Sequence, residues 1–333
     1  MSRPVGWGIL GAGRISTVAV GPALAASPSC RLVAVGSRHA DRAARLAASL
    51  SASSAGPAAA AYGSYEQVVT HPEVEAVYIA LPNDAHVPWA LEALRAGRHV
   101  LCEKPFGMHL DQVRSAFDAA EAAGLVAAEA AWNRWHPRSR DAERLVAGGA
   151  LGEVRSIDAG FVFCGVDAGD YRMDPGRGGG ALYDVGCYAL SAVGWATGWA
   201  PLSGCHPEVR RHPGGVDLAT AARLEVAGAT ATIRAAIDEP DRQWIEVTGT
   251  DGVLRFGPPA FTAWSDGPAS LELARTDGPV ESRHFQACNP YLSMVEAVSA
   301  RVRGGDAWLV PRRDSEWVAA AIDAVGYGRL PPG

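Results

Sequence analysis

Val5–Ser16 reads VGWGILGAGRIS. Val5–Leu10 has the continuous apolar character of a short buried strand. Gly11-Ala12-Gly13 follows, and then an alanine-rich stretch to about Ala26 that predicts a helix, kinked or divided at Pro22. Strand, glycine turn and helix are the context that a dinucleotide-binding fingerprint requires. Gly11 permits the tight turn. Gly13 lets the backbone approach a pyrophosphate, which the helix N-terminus then holds. Ser16 stands where a third glycine is usual and is small enough for close helix–strand packing. Two glycines occur in many such turns, and it is their place at the head of a βαβ pattern that makes these informative.

That pattern continues. Arg31–Gly36 is the second strand and ends in Gly36-Ser37-Arg38, with no carboxylate before Asp41. A site for NAD would place Asp or Glu at the strand end to bind the ribose 2′-hydroxyl. Here a serine hydroxyl and a guanidinium stand instead, and these suit a 2′-phosphate. The expected cofactor is therefore NADP(H) in preference to NAD(H). Asp41–Leu50 reads as a helix, and Ser51–Ala61 as a small-residue loop. Ala76–Ala80 is a strand and Leu81–His86 (LPNDAH) the loop after it. Pro88–Ala96 is a helix closed by Gly97, and His99–Cys102 a further strand.

Glu103-Lys104-Pro105 lies at the end of that strand. Ligands of open parallel sheets sit outside the carboxyl ends of the strands, so Lys104 falls on the same edge as the glycine turn. Pro105 favours an extended Lys104. Lys104 is also the only lysine among 30 basic residues. An arginine stays charged at any workable pH, whereas an ammonium can give up its proton. A compact, titratable donor beside the cofactor explains a lysine here.

The bulk properties bound the function. A chain of 333 residues suggests two domains. The composition, 48% hydrophobic and 20% charged, is that of a soluble globular protein. A net charge of −6 argues against a nucleic-acid or anionic-membrane surface. No apolar run is long enough for a membrane span, and no secretory leader is evident. The six cysteines form no CxxC pair, which argues against zinc or a disulfide framework and fits a cytoplasmic protein. No metal site is expected.

From Gly124 the pattern changes. Leu125–Ala131 reads as one more strand, and a helix runs to Ala147 after Asn133-Arg134-Trp135-His136-Pro137. Long alternating segments follow at Val154–Phe163, Ala219–Ile237, Trp244–Phe256 and Leu271–Phe285, with turns such as Thr250-Asp251-Gly252. They predict a mostly antiparallel sheet with one face left for a partner. Tyr291–Arg303 and Asp314–Tyr327 read as helices. Gly178–Tyr188 (GGGALYDVGCY) is a glycine-rich approach to a helix beginning near Ala181. Asp184 and Tyr188, four apart, share one face of it.

Taken in order, GAGRIS, LPNDAH, CEKP, EAAWNRWHP and GGGALYDVGCY resemble the Gfo/Idh/MocA family of oxidoreductases. The likeness is greatest to the subgroup of aldose, glucose–fructose and dihydrodiol oxidoreductases. That subgroup has tyrosine where inositol dehydrogenases have histidine, and Tyr188 stands at that place. The resemblance implies an α/β protein. Residues 1–125 are expected to form a Rossmann doubly wound parallel sheet. Residues 126–333 are expected to form an α+β domain for substrate binding and oligomerisation, with a large open, mostly antiparallel sheet. It implies that Lys104, Asp184 and Tyr188 face the nicotinamide. The cofactor is expected along Gly11, Gly13, Arg14 and Ile15, at Ser37 and Arg38, and at Leu81, Asn83, His86, Glu103 and Lys104. A homodimer or homotetramer is expected through the open sheet.

The expected reaction moves a hydride between NADP(H) and a carbonyl/alcohol carbon of a sugar, polyol or diol. Tyr188 is the expected proton donor, with Lys104 lowering its pKa and Asp184 orienting the substrate or Lys104. Lys104 as the direct donor is the other assignment, and the sequence leaves both open. Arg134, His136, Arg172 and Asp174 lie in loops expected at the cleft, the first three as substrate ligands with Asp184 and Tyr188. Trp132 and Trp135 suit core packing better than sugar stacking. Cys102 and Cys187 read as apolar fillers. Two rival readings are a non-catalytic NADP-binding sensor of the same fold, which would be expected to lack the Lys/Asp/Tyr set, and an NAD-dependent redox glycosidase. A short-chain dehydrogenase is excluded, because no Tyr is followed by Lys four residues later.

Overall fold

Six parallel strands take up the apolar runs of the N-terminal third in this computed structural model, which describes residues 3–52, 57–264 and 267–328. They are β1 (Val5–Leu10), β2 (Cys30–Gly36), β3 (Ala60–Tyr62), β4 (Ala76–Ile79), β5 (His99–Cys102) and β6 (Ala127–Glu129), in the order β3-β2-β1-β4-β5-β6. Both β1 and β4 are buried at every position. Helices on the two faces of a parallel sheet explain why such strands read as unbroken apolar runs. The order reverses between β1 and β4, so the glycine turn after β1 opens at the topological switch point.

The helix after that turn is not broken at Pro22. A π turn over Ser16–Val20 leads directly into an α-helix over Gly21–Ala26. The Gly21 N–H reaches the Ser16 carbonyl, five residues back. Proline offers no N–H to the preceding turn, and the change of pitch falls beside it.

Backbone contacts divide the chain into two units. The first takes residues up to Gly107, Asp111–Trp132 and Asn289–Arg312; the second takes Met108–Leu110, Asn133–Cys288 and Arg313 onward. A single cut after residue 125 leaves out the return of the helix Pro290–Val302 to the first unit. There Trp7 Nε1 donates to Ser299 Oγ at 3.1 Å, and the Arg303 guanidinium pairs with Glu75 at 2.9 Å.

The second unit is built on eight strands: β7 (Val154–Val162), β8 (Leu202–Arg211), β9 (Asp217–Val226), β10 (Ala229–Ala236), β11 (Arg242–Gly249), β12 (Gly252–Phe256), β13 (Ala269–Arg275) and β14 (Glu281–Phe285). Their order is β14-β13-β12-β11-β7-β10-β9-β8, antiparallel except where β7 meets β10. The helix Cys187–Ala196 is buried at all ten positions and packs on β7, β10 and β11. A helix apolar all round is one enclosed on every side. On the opposite face Ser156, Asp158 and Thr232 are exposed. The Trp244 ring lies on that face over Gly160, where a Cβ would sit 2.2 Å from it, and Trp244 Nε1 donates to Asp158 at 2.8 Å.

Some elements differ from the sequence expectation. β3 is three residues long, too short to show a period. β8 carries Pro207 and is an edge strand with little buried surface, which is where proline is tolerated in a sheet. The helix Leu110–Ala122 was not anticipated, although it buries Leu110, Val113, Ala116, Phe117 and Ala120 at helical spacing. Residues 53–56 of the expected Ser51–Ala61 loop lie outside the described residues.

Candidate active site

The cofactor edge of the first unit begins at Gly11, whose φ of +107° suits glycine. A Cβ there would also lie 2.3 Å from the Ala80 carbonyl oxygen. Gly13 differs: a Cβ added to it meets no protein atom within 4 Å. Packing does not require this glycine, and the space beside it remains for a ligand. Ser16 is fully buried and its hydroxyl donates to the Gly11 carbonyl at 2.7 Å. It tightens the turn that a third glycine would otherwise serve. Arg14 is exposed and Ile15 half-buried on the first turn of the helix.

At the end of β2, Ser37 is buried and its Oγ accepts the His39 N–H at 3.2 Å, while Arg38 is exposed. Arg42, absent from the expected site, donates through Nη2 to the Ala12 carbonyl at 3.2 Å. It stands four residues after Arg38 on the helix Ala40–Ser51. The available signal was a second guanidinium close after Arg38, in the first turn of the helix that follows.

The turn that carries Lys104 is held from below. Glu103 is buried, accepts the Tyr78 hydroxyl, and receives the Lys104 N–H at 3.3 Å. Burial raises the Glu103 pKa, and the neighbouring Lys104 charge and Tyr78 hydroxyl draw it back. Glu129, at the end of β6, accepts the Phe106 N–H at 2.9 Å. Glu103 is thus committed inside the protein, and the Lys104 side chain is half-buried. Leu81 and Asn83 are buried in the loop after β4. Both ring nitrogens of His86 face backbone carbonyls, of Leu81 and of Pro105.

In the second unit, Asp184 lies in a π turn over Leu182–Gly186, and Tyr188 in the α-helix that follows. Both are buried. The Tyr188 ring stands 5.5 Å from that of Phe161 and 5.7 Å from that of Phe261. Arg172, expected as a substrate ligand, donates from Nε to Asp184 Oδ2 at 2.7 Å and from Nη1 to Asp170 at 3.2 Å. Burial alone would disfavour its charge, but Asp184, Tyr171 and Asp170 outweigh it and raise the Arg172 pKa. Asp174 is exposed and caps a turn by accepting the Gly176 N–H.

Asp217 was missed in the sequence. Its Oδ2 accepts the Leu182 N–H at 2.8 Å and the Thr220 hydroxyl at 2.7 Å. This caps the helical segment of Asp184 and Tyr188 from 35 residues away, a link that no local pattern reveals.

Arg134 and His136 are held by partners of their own, and Arg134 shares the lining of a small cavity with Tyr188 and Phe261. Arg134 is 3% exposed and pairs with Asp314 at 2.7 Å and Glu143 at 2.9 Å. His136 is 2% exposed, and its Nδ1 accepts the Arg138 N–H at the start of the helix Pro137–Ala147. Burial, aided by the Arg138 charge, lowers its pKa to about 4. The Trp132 ring stacks on Tyr291 at 4.6 Å, within the first unit. Cys102 and Cys187 are buried, and burial raises the Cys102 thiol pKa well above its ordinary value. Among the described residues, no group of three or more His, Cys, Asp or Glu side chains could hold a metal ion.

Residues 5–130 match the oxidoreductase family with an NAD-binding Rossmann fold, and residues 139–255 match the GFO/IDH/MocA C-terminal domain. The chain is 38% identical over 321 residues to D-xylose 1-dehydrogenase (NADP(+)) 2 of Haloferax volcanii, covering 96% of this chain and 95% of that protein. It is 31% identical to trans-1,2-dihydrobenzene-1,2-diol dehydrogenase of Danio rerio, covering 84% and 81% of the two chains. The crystal structure of a 3-ketoreductase from Actinomadura kijaniata, in complex with NADP and TDP-benzene, superposes with a TM-score of 0.87. It has 29% identity to this chain, with 98% of each covered. With both domains matched and a relative aligned from end to end, the chain belongs to the Gfo/Idh/MocA family of oxidoreductases.

Proposed function

We propose that this protein is an NADP(H)-dependent oxidoreductase that interconverts a carbonyl and an alcohol on a sugar or a related polyol or diol. One observation carries the cofactor part. The space beside Gly13 is open, at the switch point of the parallel sheet, with Ser37, Arg38 and Arg42 near the end of the next strand. Gly11, Gly13 and the helix N-terminus would hold the pyrophosphate, and Ser37 and the two guanidiniums the 2′-phosphate. Bound there, NADP(H) supplies or accepts the hydride.

The substrate oxygen gains a proton as the carbonyl becomes an alcohol, and loses one in the reverse direction. Tyr188 is the proposed donor, and the Lys104 ammonium is proposed to offset the negative charge left on the phenol oxygen. Asp184, its carboxylate oriented by Arg172, accepts a hydrogen bond from a substrate hydroxyl. The family resemblance is what assigns Lys104 and the Asp184/Tyr188 pair to one reaction. A second reading has Lys104 donate the proton directly. The flanking Phe161 and Phe261 rings favour it, because apolar neighbours disfavour a phenolate.

We further propose that the protein is cytoplasmic and forms a homodimer or homotetramer through the polar face of the eight-stranded sheet. The unbridged cysteines support the first and the exposed alternating face the second. No described helix is long and apolar enough to cross a membrane.

The test is a tryptophan-fluorescence titration with NADPH and NADH, followed by an absorbance screen of aldoses, ketosugars and diols with each cofactor. Tight NADPH binding with turnover on one of these classes is expected. Preferential NADH binding overturns the reading of Ser37, Arg38 and Arg42. NADPH binding with no turnover on any class overturns the catalytic reading in favour of a sensor.

A further inference from the structure

His86 opens the helix His86–Arg95 and is 1% exposed. Its Nδ1 lies 2.8 Å from the Pro105 carbonyl oxygen and its Nε2 2.8 Å from the Leu81 carbonyl oxygen. A carbonyl oxygen only accepts, so each contact needs an N–H on the ring. Neutral imidazole has one, and imidazolium has two. The neutral ring would turn a nitrogen lone pair toward one carbonyl at hydrogen-bond distance, away from water, which is costly.

The two carbonyls belong to two different loops. Leu81 starts the loop after β4, and Pro105 follows Lys104 in the turn after β5. Glu103 and Glu129 also support the Lys104 turn. The His86 ring joins that turn to the loop of Leu81 and Asn83. Burial, aided by the Lys104 charge, lowers the His86 pKa on balance, and the two carbonyls and Asp84 offset that only in part. Two equally short contacts to acceptors are the geometry of the charged form.

We infer that His86 is a positioning residue. It ties the Lys104 turn to the Leu81–Asn83 loop by donating from both ring nitrogens, so it fixes the direction of Lys104 without touching the reacting atoms. The inference rests on the proposed role of Lys104. It also reassigns His86 from the cofactor contact that the sequence suggested to a brace behind it. The tie is complete only while the ring is doubly protonated, so losing one proton releases one loop.

The test uses the full-length wild-type protein first. Long-range ¹H–¹⁵N spectra of the histidine rings, with the His86 signals identified by their loss in His86→Gln, read each nitrogen directly. Two protonated nitrogens at pH 5 are expected. One unprotonated nitrogen at that pH overturns the two-donor tie. In parallel, His86→Gln can reach only one carbonyl and is expected to lower kcat by about tenfold, through a misdirected Lys104, with a smaller change in KM for NADPH. An unchanged kcat in a folded His86→Gln overturns the positioning role. Lys104→Met separates the two readings. If it is inactive while His86→Gln is unaffected, the proposed function stands and this inference falls. If Lys104→Met stays active, the role of Lys104 falls, and the ring spectra still decide the tie.

Discussion

Arg172 Nε donates to Asp184 Oδ2 at 2.7 Å, while Arg172 Nη1 reaches Asp170 at 3.2 Å. A residue expected to meet substrate is instead the partner of the proposed substrate-orienting carboxylate. Removing the guanidinium leaves Asp184 buried without this ion pair. Arg172→Ala is expected to destabilise the fold by about 2 kcal/mol, below the range for fully buried pairs because Arg172 is partly exposed. Turnover should fall by about tenfold or more. Arg172→Lys should recover stability better than turnover, since an ammonium lacks the planar fork that reaches two carboxylates. Urea unfolding and steady-state kinetics check both effects, and an Arg172→Ala variant with wild-type kcat rules out the orienting role.

Lys104→Arg should nearly abolish turnover while leaving NADPH binding largely intact, because arginine keeps the charge but is larger and does not release a proton. Tyr188→Phe should lower kcat about 10²-fold if the phenol is the acid–base group. A loss of only a few-fold transfers that role to Lys104. Single-turnover absorbance of NADPH measures both variants.

Gly13→Ala separates packing from binding. The added methyl meets no protein atom within 4 Å, so the melting temperature should stay close to wild type. NADPH affinity should weaken by about tenfold or more, because the methyl occupies the approach to the pyrophosphate. A normal dissociation constant would remove Gly13 from the cofactor site. Arg42→Ala should weaken NADPH more than NADH, since only the former carries the 2′-phosphate that a guanidinium holds.

His136 sets an acid limit on stability. The folded protein protonates it at about 4 and the unfolded chain at about 6.5. The unfolded state therefore binds the proton first as pH falls. The contribution is fully present above about pH 6.5 and is lost between there and about pH 4, amounting to on the order of 3 kcal/mol. Urea midpoints across that window should decline in wild type and decline less in His136→Phe. Parallel declines in the two proteins would show that other groups govern the acid limb.

The cofactor edge was legible in the sequence because its determinants are contiguous. The strand, the Gly11–Gly13 turn and the helix start lie within one stretch, and Lys104 follows its strand directly. The helix Leu110–Ala122 has a readable apolar spacing, and Arg42 follows Arg38 closely in the sequence. Asp217 carried none, since its bond to the Leu182 N–H spans 35 residues, with a helix and the strand β8 between them. Charge and position in a loop suggested the cleft for Arg134 and His136. The fold pairs Arg134 with Asp314, 180 residues on in the chain, and keeps it on the lining of a cavity that Tyr188 shares.

The sequence by itself determined the dinucleotide turn, the strand-end placement of Lys104, and the shared helical stretch of Asp184 and Tyr188. These rest on backbone geometry and periodicity, which act over a few residues. Only the tertiary structure decided what each polar side chain bonds to: His86 with two carbonyls, Arg172 with Asp184, and Glu103 with Tyr78. Burial obliges each such group to find a partner, and the partner is whichever group the packed chain brings within about 3 Å, however distant in sequence.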